Sequence, residues 1–167
     1  MKRIGFIGFS GSGKSSLTKL AQETGFKTVD TDSLMIERFG SNEFFRIIDG
    51  DDAGFRSMES EVIKDALKSD AQIIAFGGGF HQGHKSFGNV MIPSVKLVYL
   101  RTAFDDIVDR VKDRPLFIKL GIEKYRMLFE ERAPLYAGCA DFTVDAGERS
   151  LNGIWLEVER IWNLIFR

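Results

Sequence analysis

Residues 7–17 of the chain read IGFSGSGKSSL, and this stretch decides the fold class. Within it, residues 8–15 match the pattern G-x-x-x-x-G-K-[ST] of a phosphate-binding loop, between an apolar run and an amphipathic helical pattern. The glycines allow successive backbone N–H groups to converge on a phosphate, and the following helix adds the positive end of its dipole. The order of strand, loop and helix predicts ATP or GTP binding, with Lys14 on the β- and γ-phosphates and Ser15 on Mg²⁺.

Five apolar runs are typical of buried strands; they lie at residues 3–7, 27–29, 72–76, 95–100 and 142–144. Between these runs, apolar residues recur at helical spacing. One such pattern, over residues 104–111, follows Thr102, which is predicted to cap the helix. Strands that alternate with helices favour right-handed crossovers and a parallel sheet covered on both faces. We therefore expect residues 1–167 to form a single three-layer α/β/α domain.

The composition limits the class of function. A net charge of −1, with basic residues spread along the chain, shows no electrostatic footprint for nucleic acid. The apolar fraction of 44% and charged fraction of 28% are ordinary for a soluble globular protein and argue against a membrane span. Cys139 is the only cysteine, and no targeting segment is recognisable, so we expect the protein in the cytoplasm. Its expected partners are small molecules, and we expect a monomer because no exposed apolar stripe is left over once the predicted helices are docked.

Two carboxylates, Asp30 and Asp32, follow the second predicted strand. In extended geometry residues i and i+2 project to the same side, so both are expected to face the region beyond the strand end, where an open α/β sheet binds its ligand. One carboxylate can join the Mg²⁺ shell while the other accepts a proton from an attacking hydroxyl. Taken alone, Asp32 is better explained as the N-cap of a helix over residues 33–39.

Other charged and glycine-rich positions suggest an acceptor site. Arg56 and Glu59 share a helix face at i, i+3, a spacing that a surface ion pair would also explain. Three glycines at 77–79 follow the third strand, which favours a close approach of ligand to bare backbone. Arg114 and Arg132 each lie beside a proline, and the segment between them lacks strand periodicity, as expected for a lid that closes over the phosphates.

The ordered set GFSGSGKSS, VDTD, FRSME, GGG, VYL, DRPL and RAPLY resembles the shikimate kinase family from residue 5 to about residue 145. The resemblance implies a nucleoside-monophosphate-kinase type of fold, with a five-stranded parallel sheet and a short lid at about residues 110–122. It also implies transfer of the γ-phosphate of ATP to the 3-hydroxyl of shikimate with Mg²⁺.

The resemblance also assigns roles, position by position. Lys14, Asp32 and Arg114 would be catalytic, with Asp32 as the base and Arg114 stabilising the transferring phosphoryl group. The nucleotide-binding residues would be Gly11, Ser12, Gly13, Lys14, Ser15, Ser16, Arg110, Arg114 and Arg149, with Arg110 and Arg149 bordering the adenine. Asp32, Arg56, Glu59, Gly77, Gly78, Gly79 and Arg132 would bind shikimate, the two arginines by clamping its carboxylate. Ser15 and Asp30 would hold Mg²⁺.

The chain departs from the family pattern in three places: Lys-Ser-Ser ends the loop, Phe76 stands where many members have a small hydroxyl residue, and only three residues separate Arg110 from Arg114. The pair His81 and His84 is expected to lie in an exposed loop. Two alternatives remain open from sequence: a kinase of another polyhydroxy acid such as gluconate, and a nucleotide-binding regulator that has lost catalysis. The N-K-x-D motif expected of a small GTPase is absent.

Overall fold

The structure is a computed structural model that describes residues 2–40, 52–80 and 95–166. Its centre is one parallel sheet of five strands in the order β2-β3-β1-β4-β5. The bounds differ from those predicted by at most one residue at either end, so the predicted sheet is confirmed. The strands are β1 (Ile4–Ile7), β2 (Thr28–Asp30), β3 (Ile73–Ala75), β4 (Lys96–Arg101) and β5 (Phe142–Asp145).

Helices cover both faces of this sheet. One apolar cluster joins β1, β3 and β4 to α1 and α6, and a second joins the opposite face to α3, α4 and α5. Along β4, Leu97 and Tyr99 enter one cluster while Val98 and Leu100 enter the other, which explains why this strand is apolar without alternation. The helices are α1 (Lys14–Glu23), α2 (Thr31–Phe39), α3 (Asp52–Lys68), α4 (Phe104–Val111), α5 (Pro115–Cys139) and α6 (Leu151–Ile165).

The sheet register brings the polar segments together. Phe6 pairs with Ala75, and Ala75 pairs with Asp30, so three adjacent strands end at the same level. The phosphate loop follows β1 and the glycine run follows β3. Asp30 is the last residue of β2, and Asp32 lies two residues beyond it. Because the strands are parallel, all three segments leave the same carboxyl edge, which is where ligands bind in open α/β sheets.

Two local predictions are wrong. Thr102 does not cap α4: the N-cap is Ala103, without a side-chain bond, and Thr102 Oγ1 is buried with no hydrogen-bond partner in the described part of the chain. The segment between Arg114 and Arg132, which lacks strand periodicity and would be taken from its sequence as irregular, is instead helical and belongs to α5. That helix has a single interruption at Gly121, whose φ of 71° is left-handed and breaks the helical backbone.

Phe76 is buried in the apolar core, where its ring stacks on Phe80 with 4.1 Å between centroids. His81 and His84 lie outside the described residues. Among the helices that are described, none combines the length and the apolar character needed to cross a membrane.

Candidate active site

The phosphate loop joins β1 to α1 with the backbone that the sequence predicts. Gly13 is the N-cap of α1 in the left-handed region, at φ 94°. Gly11 also has a positive φ, 87°, and a Cβ there would lie 2.8 Å from Val111 Cγ1, so only glycine fits at this approach to α4. The side chain of Lys14 is buried and folds back, with Nζ donating to the carbonyl oxygens of Gly8 at 2.7 Å and Phe9 at 2.9 Å.

Lys14 and Asp32 form the electrostatic centre of the site. Burial lowers the pKa of Lys14 to about 8, although attraction to Asp32 and Asp30 opposes this shift. Burial raises the pKa of Asp32 to about 6; attraction to Lys14 opposes the rise, and repulsion from Asp30 and Glu59 adds to it. A carboxyl group whose pKa lies this close to neutrality is suited to accept a proton during a reaction.

The two aspartates are not arranged as the sequence analysis expected. Strand β2 ends at Asp30, and Asp32 lies in the first turn of α2, so they do not project from one extended strand. Asp30 is the N-cap: its Oδ1 accepts hydrogen bonds from the backbone N–H of Asp32 at 3.0 Å and of Ser33 at 3.2 Å. The capping role considered for Asp32 therefore belongs to Asp30, because α2 starts two residues earlier than predicted.

The glycine run lies directly against these groups. A Cβ on Gly77 would lie 2.5 Å from Asp32 Oδ1 and 3.3 Å from Glu59 Oε1. The backbone N–H of Gly77 donates to Thr31 Oγ1 at 2.9 Å, which ties the run to the start of α2. The protein's own side chains thus approach these glycines closely, while the approach of a ligand to this backbone stays a prediction.

Arg56 and Arg132 reach the glycine run from two different helices, Arg56 at Gly79 and Arg132 at Gly78. Arg56 Nη1 bonds Glu59 Oε2 at 2.7 Å, and Glu59 is buried, so this pair is not the solvated surface pair considered as an alternative. Arg132 Nη1 donates to the carbonyl oxygen of Gly78 at 3.3 Å, and Tyr136 donates its hydroxyl to the same oxygen. Arg132 Nε is buried and has no hydrogen-bond partner within the described ranges.

A cleft of about 450 Å³ opens beside the phosphate loop. Arg110 Nη1 bonds the carbonyl oxygen of Gly11 at 3.2 Å, so the short spacing to Arg114 does not keep Arg110 from the cleft. Arg149 is held in the cleft wall by bonds to Glu157 and to the carbonyl oxygens of Asp145 and Gly153. The cleft is lined by Ser10, Gly11, Ser12, Gly13, Lys14, Ser15, Ser16, Leu17, Asp32, Leu100, Arg110, Arg114, Ala146, Arg149, Leu151 and Ile154.

Ser15 and Asp30 are the predicted metal ligands. The described residues contain no cluster of three or more histidine, cysteine or acidic side chains that could enclose a metal ion. The site thus offers a few oxygen ligands rather than a complete protein cage.

Three polar residues at the site were missed by sequence reasoning, Ser10, Thr31 and Tyr136, as was the apolar lining of the cleft. Tyr136 carried a usable signal, since it follows Arg132 by four residues and the two share a face once that segment is recognised as helical. Thr31 lies between Asp30 and Asp32 in the sequence, and roles were assigned only to those two carboxylates. Ser10 occupies a variable position of the loop pattern, and nothing local in the sequence marks its contact with Arg114.

Comparison with known proteins identifies the family of this chain. A family model described as shikimate kinase matches residues 10–161. A curated shikimate kinase of Dehalococcoides mccartyi is 35% identical, covering 93% of this chain and 90% of its own length. One from a Sulfurihydrogenibium species is 32% identical, covering 95% and 96%.

Solved structures agree with that assignment. The shikimate kinase of Aquifex aeolicus has a TM-score of 0.76 at 29% identity, covering 95% of this chain and 94% of that one. The shikimate kinase of Acinetobacter baumannii, solved in complex with shikimate, has a TM-score of 0.83 at 22% identity, covering 99% and 95%; this likeness supports the fold alone. The chain therefore belongs to the shikimate kinase family and is an ATP-dependent kinase.

Proposed function

We propose that this chain transfers the γ-phosphate of ATP to the 3-hydroxyl of shikimate, giving shikimate 3-phosphate and ADP. The observation that carries the proposal is that the phosphate loop and the predicted acceptor residues form one continuous site. Asp32 interacts electrostatically with Lys14 of the phosphate loop, and it lies against the glycine run that Arg56 and Arg132 also contact. An acceptor with a carboxylate for the arginines and a hydroxyl for Asp32 fits this arrangement.

For the nucleotide, we propose that the phosphates lie on residues 11–16 and that the adenine lies between Arg110 and Arg149. The support is that both arginines line the same cleft as the loop, together with the apolar side chains of Leu151 and Ile154. On binding, Lys14 Nζ would exchange its two carbonyl partners for phosphate oxygens.

We propose that Ser15 and Asp30 hold Mg²⁺, Ser15 directly and Asp30 through water. The donors fit this ion: Mg²⁺ prefers oxygen ligands, retains several waters and is bound through few protein groups together with substrate phosphates. Ser15 is exposed in the first turn of α1, and Asp30 uses Oδ1 for its capping bonds, which leaves Oδ2 as the oxygen for the metal's water shell. When bound, the ion would neutralise charge on the phosphates.

For the acceptor, we propose that Arg56 and Arg132 clamp the carboxylate of shikimate, because a planar guanidinium fork matches a carboxylate. Buried Arg132 Nε supports this assignment, since a carboxylate oxygen would supply the partner that it lacks among the described residues. Glu59 would hold Arg56 in orientation, and the backbone of Gly78, with its neighbours Gly77 and Gly79, would border the sugar-like ring.

For the chemical step, we propose that Asp32 accepts the proton of the 3-hydroxyl as that oxygen attacks the γ-phosphorus. The bond between the γ-phosphorus and the bridging oxygen then breaks, and ADP leaves with the negative charge. Lys14 and Arg114 would stabilise charge on the phosphoryl oxygens, which is the main contribution that proteins make to this class of reaction.

We further propose that the chain acts as a single-domain monomer in the cytoplasm, with no nucleic-acid or membrane partner. The segment of about residues 110–122 would close as a lid over bound ATP. Its support is that Arg114, at the start of α5, already reaches the phosphate loop at Ser10.

The test is ADP release by the purified protein with ATP and Mg²⁺, comparing shikimate, gluconate and no added acceptor. Release that depends on shikimate is the expected result. Release with gluconate alone would transfer the assignment to another polyhydroxy acid, and tight ATP binding without acceptor-dependent release would favour the regulator.

A further inference from the structure

Ser10 and the residue before it connect the phosphate loop to α5. The hydroxyl oxygen of Ser10 accepts a hydrogen bond from Arg114 Nη1 at 2.6 Å. Arg114 is the N-cap of α5, and its backbone N–H donates to the carbonyl oxygen of Val111 at 2.8 Å. The main chain of Arg114 is thus fixed by the turn after α4, while its exposed side chain is fixed by Ser10.

Aromatic contacts also connect the phosphate loop to α5. The ring of Phe9 is buried and meets the ring of Tyr125 edge-on at 5.1 Å and that of Phe129 at 5.3 Å. Burial raises the pKa of the Tyr125 phenol, and a hydrogen bond with Ser10 partly offsets the rise. The ring of Phe117 also meets that of Tyr125, with 5.0 Å between centroids, across the break at Gly121. Two consecutive loop residues therefore dock on α5, one by its ring and one by its hydroxyl.

We propose that Ser10 is a positioning residue that holds Arg114 beside the phosphate loop before ATP binds. The proposal rests on the role proposed above for Arg114 at the transferring phosphoryl group. A long arginine side chain at the surface samples many rotamers, and fixing its end beside the loop removes that freedom before the reaction starts.

The Ser10 bond does not trap Arg114 in an unproductive position. A hydroxyl is a neutral acceptor that takes one bond from the guanidinium, whereas charged phosphate oxygens attract it as an ion and can accept two parallel bonds from it. When ATP occupies the loop, its γ-phosphate competes successfully for the guanidinium. The serine hydroxyl thereby brings Arg114 to the loop and releases it to the stronger acceptor.

The first test uses amide hydrogen exchange on the nucleotide-free protein, where no chemistry is involved. Ser10→Ala is expected to raise exchange several-fold in residues 111–120, because the lid loses its side-chain tie. Ser10→Thr keeps the hydroxyl and is expected to match the unmodified protein, and Ser57→Ala removes an exposed serine on α3 as a control. Unchanged exchange at 111–120 in Ser10→Ala would overturn the proposal.

The second test is a double-mutant cycle in kcat with Arg114→Ala. Ser10→Ala alone is expected to lower kcat about 3- to 10-fold with the KM for shikimate unchanged, and to have no further effect once Arg114 is removed. Losses that multiply in the double variant would mean that Ser10 does not act through Arg114. The two tests separate the proposals: if Ser10→Ala changes exchange while the unmodified protein phosphorylates no shikimate, the docking stands and the proposed function fails.

Discussion

The guanidinium of Arg56 occupies the space that a side chain at Gly79 would need. A Cβ built on Gly79 would lie 1.9 Å from Arg56 Nη1 and 2.8 Å from Cζ. Nη1 is also the atom that bonds Glu59 at 2.7 Å. The absence of a side chain at residue 79 is therefore what permits the Arg56–Glu59 pair to sit against the glycine run.

Gly79→Ala should weaken shikimate binding more than it weakens the fold. The atom that the new methyl meets is the far end of a flexible side chain, so Arg56 can move away and the backbone need not. The KM for shikimate is expected to rise about 10-fold or more, because a displaced guanidinium loses charge-assisted bonds to the carboxylate. Steady-state kinetics and a melting curve give the two quantities.

Gly78→Ala is the matched control for stability in that experiment. Its Cβ would meet nothing nearer than 3.5 Å, an ordinary contact distance. A Gly79→Ala protein that melts like Gly78→Ala and keeps its KM for shikimate would show that Arg56 is not part of the acceptor site.

Arg132→Ala should separate the two substrates. Loss of hydrogen bonds to a charged group costs about 1.5–3 kcal/mol, which corresponds to an increase of about 10- to 100-fold in the KM for shikimate. ATP affinity, measured by calorimetry, should change by less than about 2-fold. Arg126→Ala is the control, since Arg126 lies on the same helix but is exposed and pairs with Asp105. Equal losses for both substrates would contradict the clamp.

Tyr136→Phe should affect shikimate binding through Gly78. The variant removes the hydroxyl that donates to the Gly78 carbonyl oxygen and leaves Arg132 as the remaining donor. A net hydrogen bond contributes about 1 kcal/mol, so the KM for shikimate should rise about 5-fold and kcat should change little. Tyr99→Phe, in the ring that packs 5.6 Å away, should leave KM near its original value. Equal effects of the two substitutions would assign Tyr136 to packing alone.

The pH dependence of the rate should report Asp32. Burial raises the pKa of Asp32 to about 6, and only its ionised form can accept the proton of the hydroxyl. At saturating ATP, kcat/KM for shikimate should be level above about pH 7 and fall about tenfold per pH unit well below pH 6. A rate profile recorded between about pH 5 and pH 8 checks this, and a flat profile would exclude Asp32 as the base.

The same shift predicts that Asp32 destabilises the folded protein at neutral pH. Its folded pKa of about 6 exceeds its ordinary value of 3.8, so the stability linked to its protonated form is complete below about pH 4 and is lost as pH rises through 6. Asp32→Asn should therefore raise the free energy of unfolding at pH 7 by about 1–3 kcal/mol, less whatever attraction to Lys14 is lost.

Urea unfolding of this variant and of the unmodified protein, at about pH 4 and pH 7, measures that gain. The gain should be larger at pH 7. Asp105→Asn, at an exposed position on α4, controls for general charge effects. An Asp32→Asn protein no more stable than the original at pH 7 would contradict the burial of a charge at this position.

Apolar runs and the glycine loop predicted the sheet because both signals are local. Buried parallel strands are short and continuously apolar, and the loop pattern requires a strand before it and a helix after it. Helix boundaries were less predictable: α2 starts at Thr31 because Asp30 supplies the cap, and either aspartate satisfies the capping rule from sequence.

The candidate site was predictable where the residue type and its local motif indicate the chemistry, as at Lys14 and Asp32. It was not predictable where a role depends on a contact between distant segments. Tyr136 reaches Gly78 across 58 residues, and Arg114 reaches Ser10 across 104. Proline and glycine in α5 obscured its helical periodicity, so the i, i+4 spacing of Arg132 and Tyr136 was not interpreted as a shared helix face.

The identity of the phosphorylated product shows whether this chain phosphorylates shikimate, and at which oxygen. After the protein is incubated with ATP, Mg²⁺ and shikimate, phosphorus–proton coupling in the NMR spectrum identifies the oxygen that carries the new phosphate. We expect a single ester at the 3-oxygen of shikimate, formed together with an equal amount of ADP. Consumption of ATP without a shikimate ester, or an ester at another hydroxyl, would contradict the proposed function.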